Sequence, residues 1–174
     1  MTDIVALAYC SRPVSFSFDQ IDEILAQSRR NNPPAGLTGA LIYDNRTFLQ
    51  WLEGGVDPIR DVFARISRDE RHTDVRLLTV RKLNGRWFPD WSMTAVVTQD
   101  QELRALKLKP HLSLNRFDPF GWSDEDAATF MHALSDYLTR RPAPASEELS
   151  GSETPRMPAT GPVERLEQRL QRLS

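Results

Sequence analysis

The first hundred residues alternate between two hydrophobic periods, one typical of strands and one typical of helices. Short apolar runs rich in branched and aromatic residues predict five strands, and two stretches with apolar residues every three or four positions predict helices between them. The predicted strands cover residues 4–9, 37–43, 47–53, 75–82 and 87–97. This order, β-α-β-β-α-β-β, predicts an α+β fold with a ferredoxin-like core and a five-stranded mixed sheet.

Capping residues indicate where the two helices begin and end. Ser17, with Gln20 three residues later, is a capping-box pattern, and the first helix must stop before Pro33 because the residue preceding a proline disfavours helical geometry. Asp57 is expected to cap the second helix, with Pro58 at its first position. Asp44-Asn45-Arg46 and Asn84-Gly85 are typical of turns, and each is expected to join two strands.

The core is predicted to span residues 1–98, followed by a helical extension over 99–141. Two helices of this extension, one over Gln101–Leu108 and one that begins at a Ser123 cap, are expected to cover the other face of the sheet. Their apolar residues favour plain packing against the strands.

The C-terminal part is predicted to be a linker followed by a helix. Residues 142–162 hold five of the twelve prolines and almost no large apolar residue, which predicts a flexible Pro/Ser-rich linker. Residues 163–174 predict a short amphipathic helix, too short to be stable alone in water. Two roles for this helix remain open at this point, docking to a partner and a frayed end.

Composition narrows the function classes. The 174 residues carry 22 Lys and Arg against 24 Asp and Glu, a net charge of −2, so direct nucleic-acid binding is disfavoured. The apolar runs are far shorter than the roughly 20 residues of a membrane helix. The N-terminus lacks the basic and apolar regions of a signal peptide, which predicts a cytoplasmic protein. A single cysteine, Cys10, and three scattered histidines predict no metal site.

Polar residues occupy positions where the first helix calls for apolar ones. Its apolar stripe continues from Ile24 and Leu25 to Ser28, Asn31 and Asn32. A buried amide without a partner costs on the order of 1–3 kcal/mol, so these side chains need hydrogen-bond partners. The alternative is ordinary C-capping by an asparagine in the left-handed conformation, which explains one such residue better than three.

Gln50 is a second polar residue in an apolar setting. By strand alternation it shares a face with Phe48 and Leu52, whereas Trp51 points to the other face. Tyr9 on the first strand is a candidate hydrogen-bond partner, and such a pair is often purely structural. Neutral donors and acceptors in an apolar pocket suit a flat heterocycle with carbonyls and ring nitrogens, such as a flavin.

Six ordered segments also carry a family resemblance: YCS at 9–11, SRRNN at 28–32, GLTGALIY at 36–43, FLQWLEG at 48–54, DERH at 69–72 and FPDWSM at 88–93. From Ile4 to about Val97 the chain resembles a BLUF domain, a blue-light sensor that uses FAD. The resemblance implies that Tyr9 and Gln50 are the photoactive pair, whose hydrogen bonds rearrange under light.

The resemblance also implies roles for particular residues. Asn31 and Asn32 are expected at the pyrimidine edge of the flavin, and Trp91 and Met93 are expected to relay the change to the sheet. Whether Trp91 lies in or out of the pocket stays open. The implied FAD-binding residues are Ser28, Asn31, Asn32, Gln50, Ile24, Phe48, Arg71 and His72, with Arg71 and His72 towards the ribityl and phosphate side.

The sequence therefore predicts a stand-alone, non-enzymatic photoreceptor that binds FAD non-covalently and signals to a separate protein. The resemblance suggests a cyclic-di-GMP phosphodiesterase or a transcriptional regulator as that partner, and a homo-oligomer as the assembly. Two other classes stay open. One is an enzyme, either a small flavin-dependent reductase or an acylphosphatase-like hydrolase, although the chain lacks their glycine-rich loops. The other is a degenerate interaction module without flavin.

Overall fold

The computed structural model describes residues 3–90, 93–97, 117–140 and 161–173. The core consists of strands and helices in the order β1 (Ile4–Pro13), α1 (Phe18–Asn31), β2 (Thr38–Tyr43), β3 (Phe48–Gly54), α2 (Val56–Ile66), β4 (His72–Leu83) and β5 (Thr94–Val97). A 3-10 turn, Pro119–Gly121, precedes α3 (Asp124–Thr139), and α4 (Pro162–Gln171) comes last. The predicted helix over Gln101–Leu108 lies outside the described residues.

The five strands form one mixed sheet in the order β4-β1-β3-β2-β5. β1 is antiparallel to both β3 and β4, and β2 is antiparallel to β3. The β2–β3 hairpin turns as predicted, because the Asp44 side chain accepts hydrogen bonds from the backbone N–H groups of Arg46 and Thr47 at 2.8 and 2.7 Å. This topology confirms the α+β class and the ferredoxin-like core.

The last strand departs from the predicted arrangement. Residues 87–97 were expected to pair around the Asn84-Gly85 turn, yet β5 begins only at Thr94 and lies parallel to β2 at the opposite edge of the sheet. Glu53 explains why the chain leaves β4, since its buried carboxylate accepts the backbone N–H groups of Trp87 and Phe88 at 2.8 and 3.1 Å. These bonds hold Trp87 and Phe88 against β3, so the chain does not continue as a strand beside β4.

The predicted cap of α2 is wrong, and the left-handed cap considered as an alternative for α1 is not found at Asn32. Gly55, not Asp57, is the N-cap of α2, and Asp57 instead pairs with Arg60 one turn later. Asn32, which caps α1 at its C-terminus, is right-handed with φ −71°, so it does not close the helix in the left-handed conformation. Gly36 takes that conformation with φ +66°, four residues later.

The sheet separates two apolar layers. On one face, α1, α2 and α4 pack over the cluster that includes Leu7, Tyr9 and Phe48. On the other face, α3 buries Ala127, Phe130, Met131 and Leu134 against the cluster that includes Trp51. The predicted Ser123 cap is present as a reciprocal capping box with Asp126.

Candidate flavin site

Two neighbouring central strands bring Tyr9 and Gln50 together. The residues are direct partners in the β1–β3 register, and both side chains lie on the face covered by α1 and α2. The Tyr9 hydroxyl donates to Gln50 Oε1 at 2.5 Å, with Tyr9 1% and Gln50 4% exposed. Burial raises the pKa of Tyr9 far above its usual value of about 10, so the phenol stays protonated and acts as the donor.

Met93 holds the other end of the Gln50 amide. Gln50 Nε2 donates to Met93 Sδ at 3.4 Å, and Met93 is itself buried. The backbone carbonyl of Met93 accepts a hydrogen bond from Arg29 Nε at 3.4 Å, which links α1 to the residue directly before β5. A thioether is a weak acceptor, so the nitrogen end of the amide is held less firmly than the oxygen end.

The polar end of α1 is buried at one residue and partly exposed at two. Asn32 is 3% exposed, whereas Ser28 and Asn31 are partly exposed. The Asn32 backbone is held on both sides, because its N–H donates to the Ser28 carbonyl and its own carbonyl accepts from Leu37, each at 2.8 Å. Ile24 and Phe48 are buried in the apolar cluster of this layer.

His72 lies at the start of β4, beside the Tyr9–Gln50 pair. Its ring packs edge-on against Tyr9 and Phe48, and Ser11 Oγ lies 2.8 Å from its Nδ1. Burial lowers the pKa of His72 to about 4, so the imidazole is neutral at pH 7. The Ser11 hydroxyl can donate to an unprotonated Nδ1 or accept from a protonated one, so this contact holds the ring in place with either neutral tautomer.

Arg71 is fixed by a carboxylate and an amide. Its guanidinium pairs with both oxygens of Asp69, at 2.5 to 3.1 Å, and Nη2 also donates to Gln27 of α1 at 2.7 Å. The hydrogen bonds that Arg71 donates to Asp69 raise the pKa of Arg71. Burial by itself would raise the pKa of Asp69, but the bonds from Arg71 outweigh it and hold that pKa low.

Sequence reasoning missed four side chains that hold these residues: Ser11, Gln27, Arg29 and Asp69. Ser11 and Asp69 lie inside the YCS and DERH segments, and the two-residue period of β1 already places Ser11 on the face of Tyr9. Gln27 and Arg29 gave no such signal, because their partners are distant in the chain. The predicted relay residue Trp91 lies outside the described residues.

The donor set fits a flavin ring system. Gln50, on a strand, and Asn32, at a helix end, are both buried, and Ile24 and Phe48 supply apolar surface in the cluster that includes Tyr9. Neutral amides beside aliphatic and aromatic side chains match a flat ring with carbonyls and ring nitrogens.

No helix within the described ranges is long and apolar enough to cross a membrane. In the same part of the chain, no three His, Cys, Asp or Glu side chains gather as a metal site would require.

Comparison with known proteins gives consistent results. The family model described as "Sensors of blue-light using FAD", BLUF, matches residues 4–94. The dark-state structure of the BLUF protein BlrB is 34% identical, with a TM-score of 0.67, over 79% of this chain and 99% of that one. Klebsiella pneumoniae BlrP1, solved with FMN and cyclic diGMP, is 27% identical with a TM-score of 0.52, over 55% of this chain and 24% of its own.

Photoactivated adenylate cyclase subunit beta of Euglena gracilis is 30% identical over 100 residues, 57% of this chain. The chain spans about a tenth of the length of that relative, 11%. The family match covers more than half of the 174 residues and includes Tyr9, Gln50, Asn32 and Met93. The chain belongs to the BLUF family of blue-light sensors that use FAD.

Proposed function

We propose that this chain is a blue-light photoreceptor in which the Gln50 amide is the switching element. The observation that carries the proposal is that one buried amide is held at both ends, by the Tyr9 hydroxyl at 2.5 Å and by Met93 Sδ at 3.4 Å. FAD, when bound, supplies the absorption of blue light and a ring edge that responds to the amide's hydrogen bonds.

The chemistry of these two partners permits a second arrangement of the amide. A phenol both donates and accepts, so Tyr9 can bond either to the oxygen or to the nitrogen of Gln50. The thioether of Met93 is a weak acceptor, so the nitrogen end leaves it at small cost. Two arrangements of similar energy within one pocket are what a switch requires.

The proposal assigns binding roles on the same face. Asn31, Asn32 and Ser28 hold the polar edge of the ring, and Ile24 and Phe48 line it. Arg71 and His72 lie towards the ribityl and phosphate side, where the neutral His72 ring offers a hydrogen bond and Arg71 a charge held by Asp69.

We expect the chain itself to turn over no substrate. Asp69, beside the site, is paired with Arg71. Glu53, on the opposite face of the sheet beside Trp51, accepts hydrogen bonds from Thr38, Trp51, Trp87 and Phe88. Neither is available as a general base. Output through a separate protein, a cyclic-di-GMP phosphodiesterase or a transcriptional regulator, stays a prediction, as do the homo-oligomer and the cytoplasmic location. Names of similar proteins, which mention adenylate cyclase and cyclic diGMP, favour an output in nucleotide signalling.

Absorption spectra in the dark and after blue illumination test the proposal. The wild-type protein should be yellow, with flavin bands that shift slightly to the red and relax thermally. Gln50→Leu and Tyr9→Phe should bind flavin but lose the shift, whereas Tyr43→Phe, a matched change on β2, should keep it. A colourless protein that takes up no FAD would support the interaction module instead, and flavin reduction by a nicotinamide donor would support the reductase.

A further inference from the structure

The C-terminal helix α4 covers a groove between α2 and β4, here called the α2–β4 groove. Leu166 is fully buried and Leu170 is 6% exposed, and both belong to the apolar cluster that includes Ile59 of α2 and Val80 of β4. The opposite side of α4 is exposed. The groove therefore accepts one face of an amphipathic helix.

Charged groups at the rim of the groove match charges on the helix. Arg60 of α2 donates from Nε to Glu167. Arg169 Nη1 donates to the Leu78 carbonyl of β4 at 2.7 Å and lies 3.2 Å from Asp124 at the start of α3. The rim of the groove thus presents the Arg60 guanidinium on one side, and the Leu78 carbonyl and the Asp124 carboxylate on the other.

The Leu78 carbonyl belongs to an irregularity in the edge strand. Opposite Ala8 the β4 partner is Thr79, but opposite Tyr9 it is Leu77, so Leu78 is the extra residue of a bulge. Within the described residues β4 lies at the edge of the sheet, where outward carbonyls invite pairing with another chain. Arg169 covers this carbonyl, which directly follows Leu77, the register partner of Tyr9.

The docked helix has the properties of a displaceable segment. A helix of ten residues is marginal in water, so α4 depends on the groove for its structure. The connection to α3 is the 22 residues 140–161, and a fully extended chain of that length spans at most roughly 75 Å. Tethering keeps the helix near its groove at a high effective concentration, so occupancy does not require tight intrinsic binding.

We propose that the α2–β4 groove is a docking site for an amphipathic helix of a partner protein, and that α4 is its displaceable resident. The partner helix carries large apolar residues four positions apart, an acidic residue directly after the first and an arginine directly before the second. Leu166, Glu167, Arg169 and Leu170 of α4 show this pattern. The two leucines meet the apolar floor of the groove, Glu167 meets Arg60, and Arg169 meets the Leu78 carbonyl and Asp124. The inference is independent of the photochemistry.

The test uses full-length protein and a fluorescent peptide of residues 161–174, with binding followed by anisotropy. The double variant Leu166→Glu/Leu170→Glu of the protein should release α4 from the groove. The flavin spectrum and the circular dichroism of this variant show whether it is folded. The peptide should bind this variant at least tenfold more tightly than wild type. The peptide with Glu167→Arg should bind the double variant at least tenfold more weakly than the original peptide does. Its affinity should recover when the double variant also carries Arg60→Glu. The control peptide with Arg172→Glu, a change at an exposed position, should bind as tightly as the original.

Hydrogen exchange on the wild-type chain provides an independent measurement. Amides of α4 should exchange at least tenfold faster than those of β1 and β3, because α4 opens without unfolding the core. Exchange of α4 as slow as that of β1, or a peptide that binds neither protein or both equally, would overturn the proposal. A concentration-dependent dimer that is lost in the double variant would assign the groove to a second copy of this chain instead.

Discussion

Gln50 and Trp51 are neighbours on β3, yet they face two layers of opposite character. The layer of Gln50 contains hydrogen-bonding groups in its interior, including Tyr9 and His72. The layer of Trp51 is mainly aromatic and aliphatic, with Trp51 stacked on Trp87 at 4.7 Å, and the buried Glu53 carboxylate in it is fixed by four hydrogen bonds. One strand thus separates a layer suited to switching from a layer suited to rigid packing.

The difference shows how the sheet combines two requirements. Interdigitated aromatic and aliphatic side chains leave few alternative arrangements, so the α3 face resists deformation. Hydrogen bonds of the Tyr9–Gln50 pair can change partners without loss of volume. We infer that the α3 face anchors β3 while the Gln50 side chain changes orientation, and four measurements examine this contrast.

The largest effect is expected from Trp51→Ala. It removes a fully buried ring and its stack on Trp87, which should lower the free energy of unfolding by about 3–5 kcal/mol. The light-induced spectral shift should persist in the folded variant, because Trp51 faces away from Gln50. Urea unfolding and difference spectra measure the two effects, and a lost shift with unchanged stability would contradict the division.

Acidification should destabilise the Gln50 layer through His72. Because burial lowers the pKa of His72 to about 4, the unfolded chain, with a His pKa near 6.5, binds the proton more readily. The neutral ring contributes about 3 kcal/mol to the free energy of unfolding. This contribution is fully present above about pH 6.5 and is lost as the pH falls towards 4. Unfolding free energies of wild type and His72→Gln between pH 7.5 and 4.5 should differ in slope, and equal slopes would refute this assignment.

Glu53→Gln should have an intermediate effect. The fully buried carboxylate accepts four hydrogen bonds, including Trp51 Nε1 at 2.8 Å, and an amide cannot accept all of them. We expect a loss of about 2 kcal/mol in unfolding free energy. The exposed change Glu70→Gln is the control and should remain within about 0.5 kcal/mol of wild type.

The smallest effect on stability is expected from Tyr9→Phe. It keeps the ring and its packing near Phe63 but leaves Gln50 Oε1 without its donor, a loss of about 1 kcal/mol by urea unfolding. The same variant should lose the spectral shift completely. Tyr9→Phe should therefore abolish the spectral shift at little cost in stability, whereas Trp51→Ala should keep the shift at a large cost in stability.

Local pattern was sufficient for much of the fold and for the centre of the site. The Ser17 and Ser123 caps and the Asp44 turn depend on residues within a few positions of one another. The two-residue period of strands placed Gln50 and Trp51 on opposite faces, and Tyr9 as the partner of Gln50 followed from the apolar character of both strands. Such features are readable because chain geometry alone determines them.

Other features depended on pairings between distant segments. The parallel pairing of β5 with β2, the placement of Met93 at the Gln50 amide and the docking of α4 beside α2 join residues far apart in the chain. A periodic pattern specifies which face of an element is apolar, but not which surface will cover it. Which surface covers each face depends on the open edge of β2, the buried carboxylate of Glu53 and the bulge at Leu78. These features exist only once the sheet has formed.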